Sequence, residues 1–315
     1  KKKGNFIFNS VLALLLFAGV SLLLYPTFSN WWNASRQSQA ISDYAGKVDE
    51  MDAEEYARLW REAREYNRAL AERGTRYALT EEQKERYEKL LNVSGDGIMA
   101  YIEIPKIGCH LPIYHGTKES ALQIAAGHLE WSSLPVGGES AHCVISGHRG
   151  LPRAKLFTDL DKMEEGDQFF ITVLNKRLTY EVDQILVVEP KETESLAVEE
   201  GEDLVTLLTC TPYGVNSDRL LVRGHRVPYV PEEVEDEQAN ALFGTSLHTN
   251  YLLLVAAGLA VTAAFIGYLS YRERKRQGKK SSSKRRVRSG ICRQADHTGR
   301  NQEKSKRKLD KSSEK

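Results

Sequence analysis

The sequence predicts a mainly β domain, a barrel or a sandwich, with a helical appendage ahead of it and a membrane-spanning helix on either side. Three observations carry this. Short apolar, β-branched runs separated by turn residues follow one another through residues 96–232. Residues 27–95, just before them, carry apolar side chains at helical spacing. Two apolar stretches flank the whole, each near the ~20 residues that cross a bilayer as a helix.

The first stretch, Phe6 to Tyr25, lies behind Lys1-Lys-Lys3 and fills the segment 1–26. A cleaved signal peptide is the alternative; the absence of a clear small-x-small site favours a retained anchor. In the extracellular segment 27–95, Tyr56, Leu59, Trp60, Ala63, Tyr66 and Leu70 recur every three or four residues from Asp52 to Arg73, with charges between. That is an amphipathic helix whose aromatic stripe packs on the β domain. A second helical stretch, Thr80 to Leu91, leads to the turn Ser94-Gly-Asp-Gly97. The β runs of residues 96–232 include His142 to Ser146, Leu204 to Thr209 and Arg219 to Arg223. A linker, 233–249, then precedes the second span, 250–270, whose apolar part is Tyr251 to Leu269.

Arg272-Glu-Arg-Lys-Arg276 follows that span directly. With both outer flanks basic, the positive-inside rule puts both termini in the cytoplasm and the β domain outside. The formal net charge of +1 hides this asymmetry: residues 271–315 hold 18 Lys+Arg against 5 Asp+Glu, which leaves 26 against 38 for the rest. The tail is Ser-rich and poor in apolar residues, so it is expected to be disordered. Its plainest reading is a solvated topology signal, with anionic lipid head groups as a further partner. It lacks interleaved aromatics, and nucleic acid is not expected as a partner.

The chemistry concentrates in two places. Thr206-Leu-Leu-Thr-Cys210 ends a strand, and Arg219-Leu-Leu-Val-Arg223 begins the next after the turn Pro212-Tyr213-Gly214. One thiol thus lies beside one guanidinium on adjoining strands. A thiol becomes a strong nucleophile only on ionising, so a basic partner is expected. The best candidate is His148, in the glycine-flanked loop Ser146-Gly-His-Arg-Gly-Leu-Pro152; loops at strand ends are where sites concentrate. His128 is its substitute and Arg223 the substitute for Arg219. His115, His142 and His225 read more simply as hydrogen-bonded structural residues. Of the four cysteines, Cys292 lies in the tail, while Cys109 and Cys143 form either a disulfide or two small buried thiols. No closely spaced ligand pairs suggest zinc, and no cofactor is indicated.

Ile102-Glu-Ile-Pro-Lys-Ile107, Leu111-Pro-Ile-Tyr-His-Gly116, Gly127-His-Leu-Glu130, Ser133-Leu-Pro-Val-Gly-Gly138, the His148 loop, Leu156-Phe-Thr-Asp-Leu160 and the Cys210 segment occur in this order. Together they resemble the sortase family of cysteine transpeptidases. The His148 loop and Cys210-Thr-Pro-Tyr-Gly214 look most like class C, the pilin-polymerising sortases of Gram-positive bacteria. The resemblance implies an eight-stranded barrel, with Cys210 as nucleophile, His148 as acid and base, and Arg219 as oxyanion donor. It implies cleavage of the Thr-Gly bond of an LPXTG-like sorting signal and transfer to a pilin lysine. A housekeeping role on peptidoglycan precursor and a binding-only protein are the alternatives; the cysteine, histidine and arginine together oppose the latter. One departure stands out. Class C lids are built on Asp-Pro-aromatic, yet no proline lies between Pro26 and Pro105; near Gly74-Thr-Arg-Tyr-Ala78 only Tyr77 offers a ring, so the lid is either absent or, as expected here, weakly held with Tyr77 as its plug.

Overall fold

The computed structural model describes residues 2–73 and 78–229, plus isolated positions between 258 and 275. The chain divides into two compact units, Lys1–Phe243 and Gly244–Lys315; of the second, only single helical positions are described. Tyr77, the expected second span Tyr251–Leu269 as a whole and Cys292 lie outside the described residues.

Helix α1, Lys2–Asp49, is far longer than the expected anchor. It contains the one helix among the described residues that is long and apolar enough to cross a membrane. It runs on past Pro26 because its second half finds partners on the β domain. Ile41, Tyr44 and Val48 are buried. The Tyr44 hydroxyl donates to the Met99 carbonyl at 3.0 Å and accepts the Leu174 N–H at 2.8 Å. Asn33 donates to Arg153 O and Lys47 to Ser94 O, both at 2.8 Å.

Helix α2, Ala53–Arg73, matches the expected amphipathic stretch almost to the residue and buries Leu59, Ala63, Tyr66, Asn67 and Leu70. Asn67 fixes its rotation, since its amide exchanges two hydrogen bonds with the Leu134 backbone at 3.0 and 2.7 Å. Helix α3, Glu81–Lys89, starts at a capping box in which Thr80 and Gln83 satisfy each other's N–H groups.

Eight strands close into a barrel in the order β1-β2-β3-β4-β7-β8-β6-β5. They are β1 Ile98–Ile104, β2 Cys109–His115, β3 Ala126–His128, β4 Ala141–Ser146, β5 Gln168–Val173, β6 Lys176–Val188, β7 Asp203–Thr211 and β8 Asp218–Val227. Pairing is antiparallel except for β2 with β3 and β4 with β7, so the barrel is mixed. Closure leaves no free sheet edge. Strand alternation separates two apolar sets. Ile102, Ile113, Phe169, Val205, Leu207 and Val222 belong to the main core, whereas Val144, Leu196 and Leu221, with partly buried Leu208 and Val188, form a small cluster on the opposite face. Cys109 and Cys143 are both buried and unpaired, so the two-thiol alternative is the one adopted.

Candidate active site

Cys210 is the penultimate residue of β7, and its direct cross-strand partner on β8 is Arg219. Antiparallel partners project to the same face, with Cβ atoms about 5 Å apart. Leu208 and Leu221 are also partners and belong to the outer cluster, so Cys210 and Arg219 stand on the outer wall of the barrel. The cysteine is half-buried.

The histidine arrives from the other side. β4 runs parallel to β7 with Ser146 opposite Leu208. Continuing that register by two residues brings His148 level with Cys210. The chain leaving β4 stays on β7, because Gly147 N–H donates to Leu208 O at 3.0 Å and Thr209 Oγ1 donates to Gly147 O at 2.7 Å. β7 therefore carries the thiol between a histidine-bearing loop and an arginine-bearing strand.

The glycines of this loop have distinct steric reasons. A Cβ on Gly147 would fall 2.6 Å from the buried Phe157 ring, and Phe157 N–H closes the loop onto His148 O at 3.1 Å. Gly150 has φ +80°, and a Cβ there would meet the Tyr213 ring at 2.9 Å. The motif thus fits the histidine loop against the turn that follows Cys210.

Two residues not singled out from sequence join the site. Glu119, at the start of the short helix α4, Glu119–Leu122, places Oε2 3.3 Å from His148 Nε2. The Gln123 amide and then His148 hold this carboxyl below its usual range. Arg149, almost fully buried, donates to Thr211 Oγ1 at 3.2 Å, contacts Asp161 and lies 6.0 Å over the Tyr213 ring. It ties the histidine loop to the residue after Cys210. Arg149 stands inside the quoted motif and is visible in sequence, whereas Glu119 lies 29 residues upstream of His148 with no local signal. Arg219 itself is turned onto its own loop, with Nη1 donating to Asp218 O at 3.0 Å and Asn216 O at 3.3 Å.

The substitute candidates stand elsewhere. His128 is fully buried, with Nδ1 2.9 Å from Tyr87 Oη and Nε2 2.8 Å from Ser133 O, and burial pushes its pKa down to about 4. His142 is locked between Ala197 O and Thr206 Oγ1 at 2.7 and 2.8 Å. His115 sets its two ring nitrogens against Gly97 O and Leu90 O, and His225 lies 3.9 Å from Asp183. Arg223 is held by both oxygens of Asp183 at 3.1 and 3.0 Å and by Glu199 at 2.8 Å.

A family model for the sortase domain matches residues 102–227, the span that holds all three expected site residues. Sortase D of Bacillus subtilis (strain 168) is 31% identical over 129 residues, which are 40% of this chain and 62% of that protein. Solved structures align more fully. Sortase C1 from Streptococcus agalactiae is 48% identical, with 61% of this chain and all of that one covered at a TM-score of 0.60. Sortase C from Streptococcus pneumoniae is 45% identical over 62% of this chain and all of that one, with a TM-score of 0.55. A lid mutant of sortase A from Corynebacterium diphtheriae is 43% identical over 58% and 98%, also with a TM-score of 0.55. Near-half identity across the whole of a solved sortase, on the same closed eight-stranded barrel, leaves one conclusion: the chain belongs to the sortase family of cysteine transpeptidases.

Proposed function

We propose that this protein is a membrane-anchored pilin polymerase in which Cys210, His148 and Arg219 do the chemistry. The observation that supports the assignment is the alignment of β4, β7 and β8, which sets a histidine loop, a thiol and a guanidinium side by side at one barrel lip. Cys210 thiolate attacks the Thr-Gly carbonyl of an LPXTG-like signal. Arg219 leaves its loop carbonyls to donate to the developing oxyanion, an interaction realised in the transition state. His148 protonates the departing glycine amine, which leaves a thioester on Cys210. A pilin lysine amine then attacks the thioester and gives its proton to His148, and an isopeptide bond forms as the thiol is released.

The pilin assignment draws on kinship with the Streptococcus pneumoniae sortase C, whose structure has been described in terms of pilin substrate specificity. The apolar first half of α1 serves as the anchor, and the apolar stretch Tyr251–Leu269 as a second span, with the barrel outside the cell. The full chain mixed with an LPXTG-type peptide and a lysine-bearing pilin domain tests this by mass spectrometry. A Cys210 thioester that passes to the lysine supports the proposal. A thioester that only hydrolyses refutes the pilin role, and no adduct refutes the enzyme assignment.

A further inference from the structure

α1 crosses the barrel from one end to the other, and the direction in which it does so sets how the barrel faces the bilayer. Its residues nearest the apolar stretch touch the catalytic end: Asn30 Oδ1 accepts Lys155 N–H at 2.8 Å, and Asn33 Nδ2 donates to Arg153 O at 2.8 Å, both in the loop that carries His148. A cavity of about 340 Å³ is shared by Pro26, Thr27 and Asn30 of α1 with Gly150, Leu151 and Tyr213. Its later residues touch the opposite end, where Tyr44 bonds Met99 and Leu174. From Asn30 to Tyr44 the helix advances about 21 Å at 1.5 Å per residue. From Tyr25, the last residue of the apolar stretch, to Asn30 it advances only about 8 Å. The headgroup layer on each face of a bilayer is about 6 Å thick.

We propose that the catalytic end of the barrel rests on the outer bilayer surface, and that the β7–β8 turn around Tyr213 and Val215 and the loop Leu151–Arg153 dip into the lipid headgroup layer. This rests on the reading of α1 as a membrane anchor. The partner is the lipid surface because the patch is continuous with the membrane-spanning stretch and has the composition of an interface. Tyr213 and Val215 are 61% and 71% exposed, and Phe28, Trp31 and Trp32 on α1 are exposed as well. A cation lies over one of these rings, Arg36 5.3 Å from the Trp32 centroid. Amphipathic aromatics flanked by arginine are what the headgroup layer favours. The consequence is that Cys210 works at a fixed low height above the bilayer, and a soluble peptide must reach it from the aqueous side.

The test uses the full chain with Cys210→Ala and Cys292→Ser, reconstituted in vesicles of phosphatidylcholine and phosphatidylglycerol. A single environment-sensitive fluorophore is attached at Val215→Cys, at Arg153→Cys or, as a control at the far end of the barrel, at exposed Glu139→Cys. Quenching by lipids carrying spin labels near the headgroup reads depth. The expected result is at least twofold stronger quenching, with blue-shifted emission, at both 215 and 153 than at 139. Equal quenching at the three positions in vesicle-bound protein overturns the proposal. Failure of the protein to float with the vesicles overturns the anchor reading instead, so the two failures are distinguishable.

Discussion

The inner and outer faces of one barrel wall use the same residue types to opposite ends. Cys143 on β4 and Cys109 on β2 are buried, and burial pushes the Cys109 thiol up to about 12 and that of Cys143 well above its usual value. Cys210 is only half-buried, one strand away from Cys143 on the outer face. The histidines repeat the contrast. His128 is fully enclosed, with each ring nitrogen near a fixed polar partner, while His148 is 29% exposed and faces a carboxylate at 3.3 Å. The lesson is that a thiol and an imidazole gain chemical use from position, which the strand pattern controls: one step along a strand exchanges the dry side for the reactive one.

Substitutions sharpen that contrast, from the largest effect down. Cys210→Ala is expected to lower peptide-cleaving turnover by about 10⁴-fold or more, while Cys143→Ala leaves turnover within a few fold and lowers stability; equal losses would break the comparison. His148→Ala is expected to cost about 10²–10⁴-fold in kcat, the usual worth of a positioned acid and base. Arg219→Gln is expected to cost about 10²–10³-fold, in kcat more than KM, if its guanidinium serves the transition state.

His128 gives the interior its own signature. Its folded pKa lies near 4, below the ordinary 6.5, so the unfolded chain takes up the proton first as pH falls. Stability is full above about pH 6.5 and declines towards pH 4, by roughly 2–3 kcal/mol from this group. Thermal unfolding of His128→Gln across that window is expected to show a shallower decline, with no matching shift in the pH–rate profile. The smallest effect is at Glu119: this exposed carboxylate is worth little as an ion pair, and Glu119→Gln is expected to change kcat two- to fivefold.

Much of this was open to reading in the chain. The α2 stripe follows helical spacing because α2 docks through a single apolar face, and the strands around Cys210 and His148 stand out because β-branched runs end at glycine and proline. The second half of α1 carries only a short stripe, Ile41, Tyr44 and Val48 at steps of three and four. It completes its docking through Asn33, Gln37 and Lys47 on backbone carbonyls, contacts that have no hydrophobic period. The turning of Arg219 onto its own loop and the approach of Glu119 to His148 arise from loop paths and barrel closure, which composition and spacing do not encode. Barrel closure, which sets β3 between the strands of Cys109 and Cys143, likewise decided between disulfide and thiols.

The proposed chemistry requires Cys210 to be the reactive thiol. Full-length native protein with Cys292→Ser, treated with iodoacetamide and mapped by mass spectrometry over time, measures this. Alkylation of Cys210 is expected well before that of Cys109 or Cys143, slowed by an LPXTG-type peptide, with the buried pair labelled only on unfolding. Labelling of Cys109 or Cys143 as fast as Cys210 in the folded protein would contradict that chemistry.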